Sequence, residues 1–376
     1  MPKLNGKKLN RHPWTLWTMA TGLVSFLSMA LLPGSAFAEH PGITQANPKV
    51  DPQVQAYSST QELSGRLTIA GSDTMRPLLV KLAGEFTNYH PGVRIMVEGI
   101  GSREAIKSFV FGYSLQRRGE KARKGHNGAS EVNLLASSRE LTEKEIEAFA
   151  STNGYVPLAI PVATDAVTVY VHRDNPIEGM TLAQIDAIFG TARKRGYSED
   201  IKTWGQAGLR DGWQRQPIHL YGRDSNSGTR DFFRTSALLD GDLKDEIKEM
   251  PGSASEILAI ARDPLGIGYA GTGFQTSYVR AVPVAEDQGK PFVAPDRDSV
   301  LSGRYPLRRQ LYLYVDSGDR NAVLDEFLKF VNSREGQQTV VRANLYPLSK
   351  GQIESNLAAL EGGTKTASIP SGSSSN

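Results

Sequence analysis

The chain has no cysteine in its 376 residues. Disulfide staples are excluded, and so is a lipid-modified cysteine behind a leader; the fold must rest on core size, which this length permits. A P-loop is missing, because no G-x-x-x-x-G-K-[ST] occurs. A nucleophile elbow is missing too: around Ser227 the first glycine of G-x-S-x-G is replaced by Ser225. His40, His90, His126, His172 and His219 lack metal spacing, so neither a metal site nor a cofactor is expected. A phosphatase would need a metal cluster or an activated nucleophile, and neither is seen, so no catalytic residue is assigned. No internal repeat is visible.

Excess charge is also lacking once the N-terminus is set apart. Lys3, Lys7, Lys8 and Arg11 precede an apolar stretch from Trp14 to Leu32, then Pro33-Gly34 and Ala36-Phe37-Ala38. This pattern reads as a secretory signal peptide over residues 1–38, cut after Ala38. A retained membrane anchor is the alternative, although Thr15, Thr18, Thr21, Ser25 and Ser28 dilute the stretch. The leader holds four basic residues and no acidic one, which takes the formal charge of +3 to −1 without it. The basic isoelectric point is therefore no argument for nucleic-acid binding.

The rest divides by composition. Residues 39–62, with Pro41, Pro48 and Pro52, read as a flexible arm, and residues 361–376 as a disordered tail. Between them strands and helices alternate, as in an α/β doubly wound sheet. Strands are expected at Leu67–Ala70, Val93–Val97, Val132–Ala136, Tyr155–Ile160 and Val167–Val171. Helices are expected after Thr74, from Ser102 to about Phe111, and from Thr142 to Thr152. A second series starts near Pro176 and includes a strand at Ile218–Tyr221, a helix after Gly228, a helix at Ser253–Arg262 and a strand at Gly266–Tyr269. A late strand, Gln310–Val315, and an amphipathic helix, Val323–Val331, return to the first series. Lobe 1 is thus expected over 63–172, lobe 2 over 173–302, and the return over 303–360. Crossings near His172–Pro176 and Leu301–Arg309 would form a two-strand hinge.

Three strand-to-helix turns concentrate hydrogen-bond donors. They are Ala70-Gly71-Ser72-Asp73-Thr74-Met75, Gly99-Ile100-Gly101-Ser102, and Tyr221-Gly222-Arg223-Asp224-Ser225-Asn226-Ser227-Gly228-Thr229-Arg230. Helix N-termini present unpaired N–H groups and a favourable dipole to an anion. Ser227 and Thr229 add hydroxyls, Gly228 lets backbone approach, and Arg223 offers a two-pronged charged contact. Taken singly, each turn reads equally as a helix cap. Asp73 can cap its helix or face a ligand, and Arg139 can reach an anion or pair with an acid. A basic cluster at 117–126 suits a solvated loop, with anion steering or partner docking as alternatives. Trp204 and Trp213, among glycines, suit packing, with a ligand platform as the alternative.

The succession G-S-D-T-M…P, E-G-I-G-S, S-S-R-E-L-T and G-R-D-S-N-S-G-T resembles the PstS-type periplasmic phosphate-binding proteins of ABC transporters, over roughly residues 66–350. The resemblance implies a two-lobed periplasmic-binding-protein fold of type II kind that closes over one inorganic phosphate. It also implies delivery to an inner-membrane ABC permease, a monomer, a periplasmic location and no catalysis. It places the ligand contacts on Asp73, Thr74, Ser102, Arg223, Ser227, Gly228 and Thr229, with Ser72, Ser138 and Arg139 beside them. Family members carry an aspartate where Ser138 stands; that carboxylate accepts the phosphate proton and excludes sulfate. Asp73 is expected to act as acceptor in its place. Alternatives are a binder of sulfate or molybdate, or a secreted phosphate-ester hydrolase or surface-interaction protein on the same fold.

Overall fold

The computed structural model describes residues 49–59, 61–112 and 132–362. The expected leader, the basic cluster at 117–126 and the tail beyond Gly362 lie outside the described residues. The first elements are β1 (Ser64–Gly71), α1 (Arg76–Tyr89), β2 (Gly92–Glu98), α2 (Ser102–Phe111), β3 (Leu134–Ser137), α3 (Glu143–Asn153) and β4 (Leu158–His172). Next come β5 (Met180–Thr181), α4 (Leu182–Phe189), β6 (His219–Arg223), α5 (Gly228–Leu238), β7 (Lys248–Met250) and α6 (Ser253–Ile260). β8 (Gly266–Gly271), β9 (Val279–Ala281), β10 (Val284–Ala285) and α7 (Arg297–Leu301) follow. The last are β11 (Arg308–Val315), α8 (Ala322–Val331), α9 (Arg334–Arg342) and α10 (Lys350–Gly362).

Nine strands join in the order β2-β1-β3-β11-β4-β8-β6-β7, with β9 also on β4. β1 runs parallel to β2 and β3, and β6 runs parallel to β7 and β8. Parallel neighbours need crossover segments, and α1, α2, α5 and α6 occupy them. β4 and β11 are antiparallel and lie between the two parallel groups.

Two cores result. One gathers Leu67, Ile69, Phe86, Ala163, Leu311 and Phe327; the other gathers Ala166, Val169, Phe189, Trp204, Phe233 and Leu307. β4 pairs with β11 through Ala166 and with β8 from Val167 onward. The chain therefore passes between lobes inside one continuous strand, not at His172–Pro176 after two separate strands. Pro161 and Asp165 break the apolar pattern and suggest an interruption. The strand absorbs Pro161 at an irregularity, where the register shifts between Leu311 and Tyr312. Leu307 belongs to the second of these cores and Leu311 to the first.

The expected flexible arm is corrected for residues 49–59. Val54 is buried with Leu348 and Ile353, and the Tyr57 ring packs edge-on against Tyr89 and Phe330. Arg334 N–H donates to the Gln55 carbonyl at 2.8 Å. Two apolar anchors outweigh a polar, proline-rich composition. The expected tail begins later than residue 361, since α10 continues to Gly362. Trp204 is fully buried, with Trp213 edge-on at 6.2 Å, and so belongs to the packing of the second lobe.

Candidate functional site

The first turn leaves β1 at Gly71. A β-carbon there would stand 1.8 Å from the Ala136 carbonyl oxygen, so only glycine lets the turn pass β3. Ser72 N–H donates to that same carbonyl at 2.9 Å. Thr74 is not the cap expected from sequence: α1 is preceded by Met75, without a side-chain cap, and Pro77 fills the first turn. The Thr74 hydroxyl instead lies 3.0 Å from Thr229 Oγ1 and 3.3 Å from Ser253 Oγ. Asp73 does not cap either. Its Oδ1 accepts from Arg223 Nη2 at 2.5 Å and its Oδ2 from the Ser253 N–H at 3.0 Å. Both side chains therefore reach from the first lobe onto the second.

The second turn delivers Ser102 to the start of α2. Gly101 has φ of +93°, and a β-carbon on it would sit 2.6 Å from the Asn226 carbonyl of the other lobe. Ser102 Oγ is 3.3 Å from Ser138 Oγ, and both residues are fully buried. These two hydroxyls press on Gly228: a β-carbon there would lie 2.5 Å from Ser102 Oγ and 2.7 Å from Ser138 Oγ.

The third turn carries Arg223 at the end of β6, 1% exposed. Its Nη1 donates to Ser253 Oγ at 2.8 Å, whereas its buried Nε has no partner. A buried guanidinium donor without an acceptor is uncommon and marks a place for one. Ser227 caps α5, its Oγ accepting from the N–H groups of Thr229 and Arg230 at 3.2 and 3.3 Å. The hydroxyl proton remains for another acceptor. Asp224, beside Arg223, accepts from Asn226 N–H, and burial raises its pKa.

Arg139 is not brought into this cluster. Glu145 holds it at 2.8 Å and Asp231 holds its Nε at 3.1 Å, so its charge is spent on two acids at the cleft rim. The cluster contains three groups that sequence reading passed over. Ser253, at the start of α6, links Arg223 to Asp73. Arg309 and Asp165 face each other on β11 and β4, at 3.0 and 2.8 Å, both deeply buried. Arg309 Nη1 also donates to the Ser138 carbonyl and to Thr229 Oγ1, each at 3.0 Å. Burial lowers the Arg309 pKa, against the opposing pull of Asp165. The available signal was Asp165 inside the apolar run of β4, since such charges are rarely buried unless paired.

Below the cluster lies Glu256, in the first turn of α6. Burial raises its pKa to about 8, so the carboxyl is neutral at neutral pH. Its Oε1 accepts from Tyr269 N–H at 2.8 Å and its buried Oε2 has no partner.

The N-termini of α1, α2, α5 and α6 thus converge, with hydroxyls and two guanidiniums between two lobes in contact. Helix N-termini and buried guanidiniums together favour a compact anion. A model of the PBP superfamily domain matches residues 55–335, a span that contains every residue just described. The phosphate-binding protein PstS of Pseudomonas aeruginosa is 38% identical over 311 residues, covering 82% of this chain and 90% of its own.

The chain belongs to the PstS family of binding proteins.

Solved structures agree on the fold. A possible phosphate-binding protein from Planctomyces limnophilus is 25% identical, with a TM-score of 0.56, over 81% of this chain and all of its own. A putative phosphate ABC transporter substrate-binding protein from Clostridium perfringens, solved with bound phosphate, is 24% identical, with a TM-score of 0.61, over 76% of this chain and all of its own. Within the PstS frame the two-lobed α/β architecture is the family's architecture.

Proposed function

We propose that this protein captures inorganic phosphate between its lobes outside the cytoplasm and hands it to an inner-membrane ABC permease. It acts as a monomer, after cleavage behind Ala38, and without catalysis. The observation that carries this reading is Arg223. It is buried, bound to Asp73 of the opposite lobe, and left with an unpaired Nε. Ser72, Asp73, Thr74, Ser102, Ser138, Arg223, Ser227, Gly228 and Thr229 form the site in this proposal; Arg139 serves the rim.

Asp73 is the proton acceptor that replaces the family aspartate. The buried Asp165 already accepts three bonds, two from Arg309 on Oδ2 and one from Thr272 N–H on Oδ1. Asp73 accepts one bond on each oxygen and keeps a lone pair on both. Hydrogen phosphate can donate to such an oxygen; sulfate at neutral pH cannot.

Isothermal titration of the mature protein tests this. Phosphate is expected to bind with micromolar affinity or better, on the order of −8 kcal/mol, with sulfate and molybdate far weaker. Asp73→Asn should narrow the preference for phosphate over sulfate. An unchanged ratio removes Asp73 from the acceptor role, and wild-type protein that ignores phosphate overturns the function.

A further inference from the structure

Three buried hydroxyls form a chain across the lobe boundary. Thr229 Oγ1 is 3.0 Å from Thr74 Oγ1, which is 3.3 Å from Ser253 Oγ. Thr74 belongs to the first lobe, Thr229 and Ser253 to the second. Each end of the chain meets an arginine. Arg309 Nη1 donates to Thr229 Oγ1 at 3.0 Å, and Arg223 Nη1 donates to Ser253 Oγ at 2.8 Å.

A guanidinium can only donate, so Thr229 and Ser253 must accept at those contacts. Each keeps one proton, and Thr74 Oγ1 is the hydroxyl neighbour of both. When both turn that proton to Thr74 Oγ1, Thr74 accepts two hydrogen bonds and its own proton is turned away from the chain. Arg309 is itself immobile. Asp165, paired with it across β4 and β11, takes two of its N–H groups at 3.0 and 2.8 Å and is fixed in turn by Thr272 N–H at 3.1 Å. Arg309 also holds the Ser138 carbonyl of the first lobe at 3.0 Å. It touches both lobes from a strand that crosses between them.

We infer that Arg309, clamped by Asp165 on the crossing strands, is a positioning residue for anion capture. Together with Arg223 it fixes the proton direction of the Thr229–Thr74–Ser253 chain, so that closure presents the Thr74 O–H as a donor to the bound anion. This inference rests on the phosphate-capturing reading given above. Hydroxyls are ordinarily free to turn between donor and acceptor roles. Here their direction is set when the lobes meet. An oriented donor needs no reorganisation at the moment of binding, which favours the closed, loaded form.

A double-mutant cycle on phosphate binding tests it, with Arg309→Met, Thr229→Val and the pair, measured by titration calorimetry and stopped-flow release. Arg309→Met should weaken phosphate binding about tenfold to a hundredfold, the range of a lost charge-assisted hydrogen bond, mainly through faster release. Thr229→Val should cost a similar factor. The double variant should lie within about twofold of Thr229→Val, because Arg309 acts through that hydroxyl. A purely structural role for Arg309 predicts multiplied losses, and that result overturns the inference, as does unchanged affinity in Arg309→Met. If Arg309→Met fails to fold with Asp165 left unpaired, the same cycle is run with Arg309→Lys. Lysine keeps the charge beside Asp165 and loses the second prong, and its losses must again merge with those of Thr229→Val. Wild-type protein that binds no phosphate defeats the functional reading; wild-type binding with a multiplicative cycle defeats this inference alone.

Discussion

Gly228→Ala opposes lobe closure with a single methyl group. The new methyl carbon would sit 2.5 Å from Ser102 Oγ, 2.7 Å from Ser138 Oγ and 2.9 Å from Ser102 Cβ. All three atoms belong to the opposite lobe. Gly228 starts α5, and its φ is not positive, so alanine is at ease there in the backbone. Alanine also keeps the backbone N–H. The substitution therefore removes no donor and strains no helix; it opposes the closest approach of the two lobes over the anion. Overpacking of one methyl costs about 1–3 kcal/mol. Charged wholly to the closed form, that is about 5-fold to 150-fold in phosphate affinity. The unliganded protein should melt at the wild-type temperature or slightly above it, because alanine is the better helix residue. Titration calorimetry reads the affinity, thermal melting reads the unliganded stability, and small-angle scattering with saturating phosphate reads the closure. Unchanged affinity would refute the reasoning, and so would a lowered melting temperature without phosphate, since the clash would then not be confined to the closed form.

Three further outcomes follow from other parts of the molecule. Burial raises the Glu256 pKa to about 8 from 4.5, so the folded chain holds a proton that the unfolded chain has released across that window. Its contribution to stability is present below the lower value and lost as pH rises through the upper one. Melting curves of wild type and Glu256→Gln between about pH 5 and pH 9 should therefore diverge, the wild type declining more; parallel curves would count against a buried neutral carboxyl. Tyr57→Ala removes a ring packed on Tyr89 and Phe330 and a hydroxyl bonded to Glu326 at 3.0 Å. It should destabilise by about 2–3 kcal/mol in denaturant melts and leave phosphate affinity within about twofold, because Tyr57 packs on the first lobe, away from the site. Asp231→Asn removes the rim negative charge that pairs with Arg103 at 2.8 Å and Arg139 at 3.1 Å, both on the other lobe. Arg103 is 44% exposed, so a loss of only about two- to tenfold in affinity is expected. The deficit should shrink as salt is raised; a salt-independent deficit would point away from charge pairing.

Much of the fold was legible because its signals are local. Glycine at Gly71, proline at Pro77 and apolar spacing at Leu79, Leu82 and Phe86 each act within a few residues, and the alternation of strand and helix follows from them. The donor turns were legible for the same reason. Features decided by distant partners were not. β4 looked like two strands because Pro161 and Asp165 interrupt its apolar run, and only the irregular pairing with β11 shows how they are accommodated. Residues 49–59 looked free because the rings that hold Tyr57 come from Tyr89 and Phe330.

The site shows the same division. Asp73 was visible as a carboxylate in a turn of donors, but its partner Arg223 lies 150 positions away. Arg139, next to Ser138, was a reasonable candidate by adjacency, and Glu145, in the capping box of α3, takes its charge. Asp165 and Arg309 are 144 positions apart, and neither sits in a turn or at a helix end. What could have exposed them is an energetic rule that needs no motif. A full charge in the middle of an apolar strand must have a partner, and the nearest unmatched opposite charge in another apolar strand is the candidate. Applied to Asp165 among Ala163, Ala166 and Val167, the rule calls for a cation on a neighbouring strand, and the pairing of β4 with β11 supplies Arg309. In a two-lobed protein those strands carry a charge that can touch both halves from an element the halves share. A buried ion pair on them is therefore a reason to look for coupling between closure and the site, even where the ligand contacts are already accounted for.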